Sequence, residues 1–191
     1  MESSSTRGHL AEVSHFLSIQ SAGSVDTFVQ EICNTFSLGG SVFVCGNGGS
    51  SALALHLVTD LVKVAIDNGK NFPTFALGSN SALTTMISND YGYKEVFTLE
   101  LKATGKEGDL LIAISSSGNS ENILNVVRFA NEVGIKTIGL VGFDGGRLAE
   151  LCSSYVHVRT PLGKYAVVED VHSTICHDIA LQVRYATEAL Q

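Results

Sequence analysis

Two periodicities alternate along this chain, and their order sets the expected fold. From Leu10 to Phe36 apolar positions recur every three or four residues in "HLAEVSHFLSIQ" and "SVDTFVQEICNTFSL", which predicts two amphipathic helices separated by "SAGS". After "GG" the pattern changes. Five short, nearly continuous apolar runs follow, "SVFVCG", "FPTFAL", "DLLIAIS", "KTIGLVG" and "SYVHV", and each reads as a strand buried on both faces. The helical period returns at about 49–67, from about Ser81, at about 120–133, around Leu148 and at about 167–190. Such alternation predicts an α/β fold, a doubly wound five-stranded parallel sheet preceded by a helical pair. Residues 1 to about 7, small and polar, read as a frayed end.

In doubly wound sheets ligands bind beyond the carboxyl ends of the strands. Three turns fall there: "CGNGGSS", "SSSGNS" and "GFDGG". The first two share a design, since "VFVCGNGGSSALAL" and "LIAISSSGNSENIL" each set Gly, Asn and Ser between a buried strand and a helix start. Glycine lets a ligand approach the main chain, the helix N-terminus offers unpaired N–H groups to an anion, and serine hydroxyls add donors. A nucleoside triphosphate is disfavoured, because "GNGGSSAL" lacks the lysine of a P-loop. A dinucleotide is disfavoured too: Ser51 stands where the third glycine would, and "FPTFAL" ends without an acidic residue for a ribose. A single phosphate group remains. One such turn alone more often merely closes strand onto helix; two at equivalent positions favour the site. A serine nucleophile is rejected, since no G-x-S-x-G elbow is present.

Composition narrows the class further. At 191 residues and 45% hydrophobic, the chain suits one well-buried core. Its 12 Lys and Arg are scattered and the formal charge is -7, which argues against nucleic acid as a partner. The four cysteines, Cys33, Cys45, Cys152 and Cys176, show no CxxC spacing and imply a reducing compartment. The start resembles no secretion signal and no apolar run approaches the roughly 20 residues of a membrane span, so a cytoplasmic location without membrane contact is expected.

"GNGGSS", "SNDYG", "GDLLIAISSSGNSENI" and "GFDGG", in this order, resemble the sugar isomerase (SIS) domain proteins, and among them the phosphoheptose isomerase branch. The similarity runs from about Gly39 to Thr187. It implies a flavodoxin-like SIS fold, with residues 1–38 a tail and helical pair and 39–191 the phosphosugar-binding domain, one structural domain overall. It also implies an aldose-ketose isomerase converting sedoheptulose 7-phosphate to a heptose 7-phosphate through an enediol, in a homotetramer. By the same resemblance Ser115, Ser116, Ser117 and Ser120 hold the phosphate, Asn47, Gly48, Gly49 and Ser50 contact the sugar chain, Asn89 and Asp90 line the pocket, and Glu169 is among the substrate-binding residues. A zinc site implied in the branch falls on His56, Asp60, Glu169 and His177, with Asp60 and His177 as catalytic acid/base groups. Three positions depart from the branch: Asp60 stands for a Glu, Glu169 for a Gln and Val167 for an Arg. A different phosphosugar, or a binding or regulatory protein without catalysis, are the alternatives that these departures leave open.

Spacing adds to this. His56 and Asp60, at i and i+4, share one helix face. His172 and His177 face roughly 140° apart on a regular helix, which makes His172 a pocket or core residue. Glu169 and His177 stand about 12 Å apart along a straight helix, too far to share one ion. Either the chain near Glu169 is not helical, or a site is completed by a neighbouring subunit. His9 and His15 read as surface or interface residues, and His157 as structural.

Overall fold

Each of the five apolar runs forms a strand, as the computed structural model shows for residues 6–20 and 22–188. The strands are β1 (Val42–Gly46), β2 (Thr74–Ala76), β3 (Leu110–Ser115), β4 (Lys136–Gly142) and β5 (Ser154–Val158). All neighbours run parallel, in the order β2-β1-β3-β4-β5. The helices are α1 (Thr6–Ser18), α2 (Ala22–Ser37), α3 (Gly49–Asp67), α4 (Ser81–Asp90), α5 (Val96–Thr104), α6 (Glu121–Glu132), α7 (Gly146–Leu151) and α8 (Tyr165–Glu188), with a 3-10 turn at Tyr93–Glu95. Most of "SAGS" belongs to α2, so the break between the first two helices is shorter than expected. Residues 1–5 of the expected frayed end, and residues 189–190 of the expected last helix, lie outside the described residues.

Alternation along the strands sends side chains into two cores. Val42, Val44, Leu110, Ile112, Ile114, Ile138 and Leu140 pack beneath α2, α3 and α8, whereas Phe43, Cys45, Leu111, Ala113 and Val141 pack against α5, α6 and α7. Nearly every one of these is fully buried, and full burial of a side chain of this size contributes about 1.5–3 kcal/mol. The cysteines are free, and burial pushes the thiols of Cys152 and Cys176 up to about 12, which leaves them inert packing groups.

α3 departs from the expectation that no segment is long and apolar enough to cross a membrane. By length and composition alone it is. Here Ala54, Leu57, Leu61 and Val64 face the core, while His56, Asp60, Lys63 and Asp67 mark its outer side. It is a core helix.

The chain leaves β1 for β2 on one side of the sheet and returns to β3 on the other. A crevice therefore opens where β1 and β3 end, at the switch point that this strand order dictates.

Candidate active site

Two clusters of the expected site residues emerge, and α3 and α8 connect them. The first is a cleft at the switch point, lined by Asn47, Ser50, Ser115, Ser116, Ser117, Ser120, Tyr165 and Glu169. Its floor follows from local geometry. α3 begins after Gly48 and α6 after Ser120, and neither N-terminus receives a side-chain cap. The N–H groups of Gly49 and Ser50, and of Glu121 and Asn122, are thus left for a ligand, whereas those of Ser51 and Ile123 are already engaged. Ser115 and Ser116 are buried; Ser115 Oγ accepts from the Gly118 N–H at 3.1 Å, whereas Ser116 Oγ is buried with no partner. A buried orphan hydroxyl is costly unless something fills its place. Among the described residues no Lys or Arg lines the cleft, so an anion there would be met by neutral donors and helix ends.

The third turn, "GFDGG", braces the serine turn instead of lining the cleft. Gly118 has φ of 62°, and any side chain on it would strike the carbonyl of Gly145. Leu148 N–H donates to Gly118 O at 2.9 Å, and the Arg147 backbone N–H donates to Asn119 Oδ1 at 3.2 Å. Glu169 lies with its carboxylate over Gly49, where only glycine leaves room for it, and this negative charge suits the α3 N-terminus.

The second cluster is His56, Asp60 and His177. His177 Nε2 lies 3.1 Å from His56 Nε2, and Asp60 Oδ2 lies 3.5 Å from His56 Nε2 and 3.9 Å from His177 Nε2. The rings meet edge to face at 4.6 Å. A point about 2 Å from all three atoms exists by these distances, which is the bond length of a zinc ion to nitrogen or carboxylate oxygen. Two imidazoles and one carboxylate also leave a fourth position open, as catalytic zinc sites do. The donor set fits such an ion.

The other expected residues fall outside both groups or only beside them. Glu169 is helical, which removes one of the two explanations for its distance from His177: in one chain it serves the cleft and is not a fourth ligand of the cluster. Gly48 and Gly49 shape the first turn without lining the cleft. Asn89 and Asp90 end α4, hydrogen-bonded to each other at 2.7 Å and exposed, apart from the cleft lining of this chain. His172 is fully buried, with Nε2 at 3.2 Å from Val141 O, and His157 Nε2 contacts Phe143 O at 3.0 Å. Three residues were not anticipated: Tyr165, Tyr93 and Asn122. Only Asn122 left a sequence signal, as the asparagine of "GNSEN" just inside the second helix start.

A family model described as the SIS domain matches residues 9–142. The phosphoheptose isomerase of Nitratidesulfovibrio vulgaris is 37% identical over 161 residues, covering 83% of this chain and 75% of that protein. This chain belongs to the SIS-domain family, among the phosphoheptose isomerases. The family's isomerase from Haemophilus ducreyi is 38% identical over 155 residues, 81% of this chain and 78% of its own length. A phosphoheptose isomerase structure from Francisella tularensis superposes with a TM-score of 0.84 at 27% identity, covering 94% of both chains.

Proposed function

We propose that the protein interconverts sedoheptulose 7-phosphate and an aldoheptose 7-phosphate through an enediol. The observation that carries this reading is the orphan Ser116 hydroxyl in a cleft between two uncapped helix starts, one of them the start of α3, which also bears His56 and Asp60. In the cleft, Ser115, Ser116, Ser117 and Ser120 hold the phosphate and the α6 N-terminus faces its charge. Asn47, Ser50 and Glu169 lie toward the sugar chain, with Gly48 and Gly49 opening the backbone to it.

Isomerisation moves one proton between neighbouring carbons and one between their oxygens. Asp60 takes the proton from carbon 1 of the ketose; the C–H electrons form the enediol double bond, and the carbonyl oxygen gains a proton from His177. Asp60 returns a proton to carbon 2, whose new C–H bond takes the enediol double-bond electrons, and the carbon 1 hydroxyl gives its proton back to His177 as the aldehyde forms. A zinc ion held by His56, Asp60 and His177 would polarise the carbonyl oxygen itself, in place of proton donation from His177 Nε2, whose lone pair it would occupy. His56 and Asp60 stand about 9 and 15 Å along α3 from Ser50, and Glu169 about 12 Å along α8 from His177. We therefore place each complete site at a subunit boundary of a homotetramer, with Glu169, Asn89 and Asp90 meeting a neighbour's cluster. Leu55, Leu181 and Tyr185, exposed on the same two helices, support such a boundary.

NMR of sedoheptulose 7-phosphate in deuterated water with purified protein tests the reading, with and without zinc. An aldoheptose phosphate carrying deuterium at carbon 2 is expected, faster with zinc. Binding without conversion would overturn it.

A further inference from the structure

One backbone N–H settles the orientation of three side chains at the cleft. The Ile123 N–H, which can only donate, points at Asn122 Oδ1 at 3.0 Å. That atom of Asn122, a residue 3% exposed, is therefore oxygen and its partner atom the NH2 group. The NH2 group donates to Asn47 at 2.9 Å, so the Asn47 atom that faces it is Oδ1, and Asn47 Nδ2 in turn donates to Asn122 Oδ1 at 2.8 Å. Tyr93 reaches the same Asn47 Oδ1 at 2.8 Å, and against an acceptor its hydroxyl must donate. The Asn47 oxygen is thus taken up by two donors. Its second Nδ2 N–H has no partner among the described residues, and Asn47 lines the cleft.

We infer that Asn122 and Tyr93 are positioning residues that lock the Asn47 carboxamide so that it offers the cleft a hydrogen-bond donor, selecting an oxygen acceptor on the sugar chain. The pair also ties the glycine turn after β1 to the start of α6, so the sugar and phosphate sides keep one spacing. This rests on the functional reading above for the identity of the ligand, though not for the lock itself.

The test is a pair of double-mutant cycles on turnover of sedoheptulose 7-phosphate, Tyr93→Phe and Asn122→Ala, each alone and with Asn47→Ala. Tyr93 is exposed, so its variant keeps the fold even if Asn122→Ala does not. Tyr93→Phe is expected to raise KM about five- to tenfold in the wild-type background, the worth of one hydrogen bond, and to change nothing once Asn47 is alanine. Equal effects in both backgrounds would overturn the proposal. Side-chain amide NMR of the sugar-free protein judges the lock separately: Asn47 NH2 shifts displaced from those of a free asparagine are expected in wild type, moving toward them in Tyr93→Phe, and free-asparagine shifts already in wild type would overturn it. A wild type that neither binds nor converts the sugar would sink the functional reading, while these amide signals would still decide the lock.

Discussion

The serine cleft and the histidine cluster are built by opposite means. The cleft is made of main chain: strand ends, two uncapped helix starts and turns whose glycines permit contacts that a side chain would forbid, as at Gly118 against Gly145. The cluster is made of side chains alone, three groups on the outer faces of two helices, with His56 and His177 about half exposed. A site of the first kind is tied to the fold. One of the second kind can be changed residue by residue.

The comparison can be broken in three ways. The largest effect is expected in the cluster: His177→Gln should lower kcat on the order of a thousandfold with KM changed less than about threefold, as general acid/base groups do. A parallel rise in KM would join the two regions into one. The next lies between them on α8. Burial holds the His172 imidazole well below its usual value, at about 4, against about 6.5 in an unfolded chain. The native state then binds fewer protons in that window, so the stability is complete above pH 6.5 and falls by about 3 kcal/mol as the pH drops to 4. Urea unfolding between pH 7.5 and 4 reads that slope, and His172→Leu should remove it. The smallest effect has two signs. Ser116→Ala deletes an orphan buried hydroxyl and should raise stability by about 1 kcal/mol, while weakening the phosphosugar about tenfold or more, since a bond to a charged group is lost. A loss of both stability and affinity would mean that Ser116 is structural.

The difference in construction also explains what the sequence revealed. Strand runs and Gly/Ser turns are local patterns, so the five strands, most of their helices and the serine turn are readable in the sequence, whereas the single helical stretch expected from about Ser81 is broken at Gly92 into α4, a 3-10 turn and α5. The His56 and Asp60 pair was readable from helical spacing. His177, 117 residues beyond Asp60, joins them only through the packing of α8 on α3, and it was placed by family resemblance. Glu169 is expected both among the substrate-binding residues and in the zinc set, and within one chain an unbroken α8 carries it to the cleft and away from His177. Tyr93 escaped notice because a lone tyrosine in a 3-10 turn has no pattern, and its contact with Asn47 spans 46 residues.

The most direct test of this division of labour is Asp60→Asn, measured for sedoheptulose 7-phosphate binding by calorimetry and for deuterium uptake at carbon 2 by NMR. The account predicts affinity within about threefold of wild type and no detectable deuterium transfer, because the cleft is untouched and the proton acceptor is gone. Deuterium transfer at the wild-type rate would remove Asp60 from the chemistry and contradict the account.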